Sequence, residues 1–217
     1  MAAITGPYIP LNSLAYYLDP YNTKSYSGSG STAYNLIDNT PTALSGISYS
    51  NTSFSSSGSG VMQSSLSYNL SLTAGFTVMI WINLNNLNGG YFNYISGSNS
   101  IYLYTGGLTK MQFQTYASTT LSSNASVQTG VWQCWSGAFG GTGVAGGSAT
   151  ASLYLNGNLD NSATQAGPVT NNANIQFAYQ GAPCNGLIGP CLFWNREILA
   201  PEQREIYVAM KNRYGLS

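Results

Sequence analysis

Few residues of this chain are of types that perform acid, base or nucleophilic chemistry. The 217 residues include six acidic side chains, three cysteines and no histidine. The lack of histidine removes the commonest general base and the usual nucleophile triads. Cys134 could act as a nucleophile only beside a base, and none is obvious in the sequence. We therefore expect no catalytic residues and a non-enzymatic protein.

Paired carboxylates are the other common route to catalysis, because glycoside hydrolysis needs two carboxyl groups about 5 to 9.5 Å apart. Glu202 and Glu205 are close in sequence, but they begin a predicted helix, where acidic side chains complement the helix dipole. The three aspartates adjoin turn residues and are far apart in the chain: Asp19, Asp38 and Asp160. No carboxylate pair typical of a glycosidase is present.

The cysteines are too few for a disulfide scaffold, and their spacing is not that of a zinc site. They are Cys134, Cys184 and Cys191. We interpret all three as free thiols, with a bridge between Cys184 and Cys191 as the alternative.

The low charge excludes several classes of partner. Only 6% of the residues are charged, against about 25% in ordinary soluble proteins. The net charge is zero, which argues against nucleic-acid binding and against a polybasic membrane anchor. The first residues, MAAITGPYIPLN, lack the basic and apolar regions of a secretory signal, and no apolar run is long enough for a membrane span.

Most of the sequence predicts β-strands. In FTVMIWINL, residues 76–84, Val78 and Ile80 share one face and Trp81 lies on the other, which is strict period two. Asn156-Gly157 is the preferred pair for the type I′ turn of a hairpin. Further strands are predicted at 91–95, 101–104, 111–116, 131–139, 174–180 and 186–195. Short strands with turn residues between them indicate an all-β sandwich or jelly roll.

The last segment is a different kind of element. Residues 196–213 hold seven of the twelve charged residues, and Pro201 suits a first helical turn. Ile206, Ala209 and Met210 share one face, and Gly215 fits a helix stop. We predict a short closing helix over 200–214, packed on an apolar surface. Residues 1–12 are predicted to be an N-terminal arm, and residues 1–217 a single domain.

Residues 22–60 are rich in serine and glycine and less regular. Such composition is typical of a flexible linker. The apolar residues within it favour a loop that packs on the sandwich instead: Tyr26, Tyr34, Leu36 and Ile37.

The order of these segments resembles the laminin-G-like, concanavalin A-like jelly rolls over roughly residues 13–214. The resemblance rests on LAYYLDPYNTKSYSGSGSTAYNLIDNT (14–40), FTVMIWINL with Trp81, VWQCWSGAF (131–139), the ASLYLNGNLD hairpin and the closing CNGLIGPCLFWNREILAPEQREIYVAMKNRYG. It implies a two-sheet antiparallel jelly-roll sandwich with one short C-terminal helix.

One departure concerns calcium, which many members of that family bind through Asp and Asn. Where the family has an acidic segment, this chain has SFSSSGSGVMQ, residues 53–63, without a carboxylate. Asp160 and Asp38 could each supply one oxygen ligand, but a calcium site needs several. We predict no cofactor, with calcium as the open alternative.

The composition and the family together predict a virion structural protein. A surface of Ser, Thr, Asn, Tyr and Gly has few charges to desolvate, and interfaces are enriched in Tyr and depleted in Lys and Glu. Jelly rolls of this kind occur among the structural proteins of tailed phages. We expect a capsid decoration or surface-displayed module on the virion surface, made in the host cytoplasm. It would be homo-oligomeric or multi-copy and would contact the capsid or tail protein.

The alternative is a carbohydrate-binding adhesin domain of a tail fibre or cell surface, with host-surface glycans as partners. Aromatic rings with amide and hydroxyl groups around them bind sugars. The candidate glycan contacts are Trp81, Tyr102, Tyr104 and Asn156, which border a face of the predicted jelly roll. Exposed aromatic side chains on an open face would favour sugar binding, and a face filled by loops would favour scaffolding.

Overall fold

The computed structural model describes residues 9–50, 52–69, 75–96, 99–116, 119–140, 147–167, 172–178 and 184–216. Its elements, in chain order, are β1 (Leu14–Leu18), β2 (Thr32–Tyr34), β3 (Pro41–Ser50), β4 (Ser53–Asn69), β5 (Phe76–Leu84), β6 (Gly90–Ser96), β7 (Asn99–Tyr104), β8 (Lys110–Tyr116), β9 (Thr119–Ser126), β10 (Trp132–Phe139), β11 (Ser148–Leu155), β12 (Asn158–Ala166), β13 (Asn172–Phe177), β14 (Asn185–Trp194), α1 (Ala200–Met210) and a 3-10 helix (Lys211–Tyr214). Residues 1–8 of the predicted arm lie outside the described residues.

The strands form two antiparallel sheets that share β4. Hydrogen bonds connect the strands in the order β12-β11-β10-β5-β14-β4-β13-β6-β7-β8-β9. The first part of β4 pairs with β14 at residues 54–57, and its last part pairs with β13 from Met62 onward. Between these parts, Gly58 has a φ of 98° and Gly60 lies against Gly46 of β3. Bulges and bends of this kind let one strand pass from sheet to sheet.

The largest apolar cluster lies between the two sheets. Val78 and Ile80 of β5 and Trp135 of β10 face inward from one sheet, and Leu103 and Phe113 face inward from the other, all 0% exposed. Gly137 of β10 lies so close to the ring of Phe113 that a Cβ there would stand 2.5 Å from it. The two-sheet jelly roll predicted from the sequence is therefore confirmed.

A second apolar cluster lies between the first sheet and α1. It contains Met79 and Trp81 of β5, Cys134 of β10, and Ile206 and Met210 of α1. The predicted apolar face of the closing helix is confirmed by Ile206 and Met210, which are fully buried. β5 is thus buried on both faces, because the core covers one side and the helix covers the other.

The serine- and glycine-rich region differs from the prediction of a loop. Residues 41–50 and 53–69 are strands β3 and β4, which pair with each other along most of their length. Tyr26 packs in the core at 5% exposure, as expected, whereas Tyr34 and Ile37 are 39% and 42% exposed. Gly has low strand propensity, so the pairing with neighbouring strands determines that this region is extended.

Candidate functional site

Tyr102 and Tyr104 lie side by side on the outer face of the second sheet. They alternate along β7 with Ile101 and Leu103, which are fully buried. Their ring centroids are 6.0 Å apart at an interplanar angle of 72°. Both side chains are partly exposed, and within the described residues neither hydroxyl has a hydrogen-bond partner. The period-two geometry of a strand puts the two tyrosines on one face of β7, opposite Ile101 and Leu103.

Amide and hydroxyl side chains continue this face across β8 and β9. Tyr102 pairs with Gln114, and Tyr104 pairs with Gln112. Gln112 then pairs with Ser122, and Gln114 with Thr120. The glutamines were not among the predicted site residues, although their alternation with Met111 and Phe113 in MQFQTY is a signal that they point outward.

The same face extends to β13 and β4. The amide nitrogen of Gln176 donates to Oε1 of Gln63 at 3.1 Å. Oε1 of Gln176 itself is buried without a partner in the described part of the chain. In the strand register, Gln176 is connected to Tyr102 through Asn93 of β6. The face therefore carries a row of uncharged hydrogen-bonding groups beside its two tyrosines.

This outer face, on β4, β13 and β6–β9, is almost uncharged. Lys110 is the only charged residue in the sequences of these six strands. Its ammonium group donates to the backbone carbonyl of Asn124. Aromatic rings with neutral amides around them suit an uncharged, polyhydroxylated ligand better than an anion.

Trp81 cannot contact a ligand from solvent, which corrects its prediction as a glycan contact. Its side chain is 0% exposed. Its indole stacks on the ring of Tyr207 at 5.6 Å and 7°, and on that of Tyr214 at 5.1 Å and 28°. The strand pattern correctly placed Trp81 on the face opposite Ile80, but the C-terminal helix covers that face.

Asn156 belongs to the β11–β12 turn, in the other sheet from the tyrosine pair. Asn156 and Gly157 have φ values of 52° and 75°, as a type I′ turn requires. Oδ1 of Asn156 accepts the backbone N–H of Cys134 at 2.9 Å. A cleft of about 270 Å³ lies beside Asn156, Asn158 and Leu159. Asn156 therefore stabilises the hairpin turn against β10. It does not lie beside Tyr102 and Tyr104, because those residues are in the other sheet.

Asp160 and Asp38, the possible oxygen ligands for calcium, are engaged by the protein itself. The carboxylate of Asp160 accepts the backbone N–H groups of Asn124 at 2.6 Å and Ala125 at 2.9 Å. It thereby joins β12 to the edge strand β9. Oδ1 of Asp38 accepts from Nδ2 of Asn35 at 2.7 Å. Within the described ranges, no three His, Cys, Asp or Glu side chains cluster as metal ligands would.

The three cysteines are buried and free in the structure. Burial raises the pKa of Cys184 to about 12, and it also raises the pKa of Cys134 and Cys191. A nucleophilic cysteine needs a lowered pKa and access to solvent.

Comparison with known proteins places the fold. A profile described as the concanavalin A-like lectin/glucanases superfamily matches residues 56–202. The chain belongs to this superfamily. A search of curated protein sequences gave no match.

No helix in the described part of the chain has the length and apolar character needed to cross a membrane.

Among solved structures, the superfamily member is similar to domain 4 of an extracellular arabinanase from Geobacillus stearothermophilus, in complex with arabinotriose. The TM-score is 0.66 at 15% identity, covering 90% of this chain and 98% of that one. It is also similar to part of Trypanosoma rangeli sialidase in complex with the inhibitor DANA, with a TM-score of 0.66 at 12% identity. The alignment covers 95% of this chain but 35% of the sialidase. At 15% and 12% sequence identity, these two similarities show a shared fold.

Proposed function

We propose that this protein is a non-enzymatic carbohydrate-binding module that holds a neutral glycan on the outer face of its second sheet. The observation that carries the proposal is the pair Tyr102 and Tyr104, partly exposed and next to the glutamines of β8. The rings offer apolar stacking surface, and the amides and hydroxyls offer hydrogen bonds to sugar hydroxyl groups. The superfamily and the arabinotriose bound to the similar arabinanase domain support a saccharide ligand.

The near absence of charge favours a neutral glycan over an acidic one. Charged ligands are recognised in proteins through charge-assisted hydrogen bonds, most often from Arg. The face has one lysine, at the start of β8, and no arginine. Binding without catalysis fits a chain without histidine, whose described residues include no carboxylate pair on this face.

The test is binding to an array of neutral and acidic glycans, followed by titration calorimetry with arabinotriose and the best-bound glycan. We expect Tyr102→Ala/Tyr104→Ala to remove the binding to this face, measured as the loss of one binding site per chain in the titration, without loss of fold. Tyr34→Ala is the matched control, because it removes a 39% exposed tyrosine from β2. Failure of the wild-type protein to bind any glycan, or equal binding by the tyrosine double variant, would overturn the proposal.

We also propose that the module is displayed on a virion surface, as a capsid decoration or tail-fibre domain held in multiple copies by other virion proteins. The observation that favours this assembly is the low charge of the whole chain, with six basic and six acidic residues. A neutral surface would favour precipitation of a free protein and costs little to bury in a contact. Sedimentation from the native source, with mass spectrometry of the proteins that co-migrate, tests it. A fixed, high copy number on a large particle is expected, and a free monomer would contradict it.

A further inference from the structure

Trp132 stands apart from the other three tryptophans of the chain. Trp81, Trp135 and Trp194 are 0% exposed, whereas Trp132 is partly exposed at the start of β10. It lies on the first sheet, on the same side as the C-terminal helix. Its ring packs against Tyr214 of the 3-10 helix, with centroids 4.4 Å apart and an interplanar angle of 48°.

A free amide and an apolar side chain lie next to this ring. Trp132 pairs across the strands with Asn83 of β5, and Asn83 pairs with Leu187 of β14. Both Asn83 and Leu187 are partly exposed. The side chain of Asn83 makes no hydrogen bond with another described residue, so its donor and acceptor are available.

Two buried polar atoms behind Trp132 also have no partner among the described residues. They are the hydroxyl of Tyr214 and the indole Nε1 of Trp81. The Tyr214 hydroxyl lies over Gly189, where a Cβ would stand 2.9 Å from it. The ring of Trp132 thus packs on that of Tyr214, which packs on that of Trp81, from the surface into the protein. A buried polar group without a partner is rare in proteins, and an ordered water molecule commonly satisfies such a group.

We propose that Trp132, Asn83 and Leu187 form a second, separate saccharide-binding site at the end of the helix-covered sheet, with Tyr214 packed behind the ring of Trp132. A sugar ring stacks on Trp132, and the amide of Asn83 bonds one of its hydroxyl groups. The ligand class is a neutral polyhydroxyl compound, because a hydroxyl group can both donate and accept and brings no charge to a half-buried position.

The site can be tested by iodide quenching of tryptophan fluorescence, because only Trp132 is accessible to the quencher. The probes are arabinotriose, maltotriose and chitotriose, added to the Tyr102→Ala/Tyr104→Ala variant, which lacks the other candidate site. At least one probe should lower the quenching constant by roughly twofold, since a bound ligand buries most of the surface that it touches. Val131→Ala, which truncates a 43% exposed neighbour, should leave this protection unchanged.

Asn83→Ala should weaken binding by roughly fivefold or more, because the site loses its hydrogen-bonding amide. Tyr214→Phe is the control: it removes a buried hydroxyl and keeps the ring behind Trp132, so binding should be unchanged and the melting temperature unchanged or raised. If no probe protects Trp132 in either background, the second site is wrong. If wild-type protein binds a probe while Trp132 stays equally quenched, the probe binds at the site on β7 and β8 and the proposed second site is wrong. Protection that persists without the two tyrosines supports the second site alone.

Discussion

The guanidinium of Arg213 lies 2.8 Å from the carboxylate of Asp19, and this ion pair fastens the end of the chain to the segment after β1. The side chain of Asp19 is 1% exposed, and that of Arg213 is 22% exposed. The same carboxylate accepts the hydroxyl of Tyr17 at 2.9 Å and the backbone N–H of Tyr21 at 3.0 Å. The C-terminal helix is therefore held by charge at its end as well as by apolar packing.

Arg213→Met should destabilise the protein by roughly 3 kcal/mol, because it leaves a buried carboxylate without its cation. Urea denaturation at pH 7 measures the change. The control is Lys211→Met, which removes a cation that makes no ion pair within the described residues and should cost far less. Equal losses for both variants would show that Asp19 gains nothing from Arg213.

Gly157→Ala should destabilise the protein more than Gly130→Ala. Both glycines have positive φ, 75° and 74°, so each alanine incurs about 1–2 kcal/mol of backbone strain. A Cβ at Gly157 would also stand 2.8 Å from Cβ of Tyr207, whereas a Cβ at Gly130 meets nothing within 4 Å. The comparison isolates the contact of the hairpin with α1. Thermal unfolding that gives equal losses would show that the helix moves aside without cost.

Stability should depend on pH through Glu202. Its hydrogen bonds to Arg196 hold its pKa below the usual range, helped by the N–H of Leu199 and opposed by partial burial. A lowered pKa means that the stabilisation is complete above the unfolded value, about 4.3, and is lost as the pH falls through the folded value. Glu202→Gln should be less stable than the wild-type protein at pH 7, and the difference should shrink toward pH 3.

Glu197 provides a comparison of opposite sign. Burial raises the pKa of its carboxyl group, so the charged form is disfavoured in the folded state. Glu197→Gln should therefore be more stable than the wild-type protein at pH 7, and this gain should disappear at low pH. Urea titrations of both variants at several pH values measure the two trends. A shift of the same sign in both would contradict the assignment.

The three thiols should be unreactive in the folded protein. Their raised pKa values and their burial leave almost no accessible thiolate at pH 8. A thiol reagent such as dithionitrobenzoate should label none of the three in native buffer and all three in denaturant. Labelling of only one cysteine in denaturant would mean that two of them are joined by a disulfide.

Much of the fold could be predicted from local patterns in the sequence. Alternation along FTVMIWINL predicted β5, and the IYLY run predicted β7. The Asn156-Gly157 pair placed the hairpin, because few residues other than Asn and Gly adopt positive φ easily. These features depend on neighbours in the chain, so the sequence contains them directly.

Contacts between segments that are distant in the chain determined the features that the sequence did not predict. Trp81 has the alternation of an outward side chain, but its exposure depends on a helix more than 100 positions later. β4 is a strand because β3, β13 and β14 pair with it, although its glycines disfavour strands. The sequence by itself determined which side chains alternate and where the chain turns. Only the tertiary structure determined which faces are covered, because burial depends on which distant elements pack against each strand.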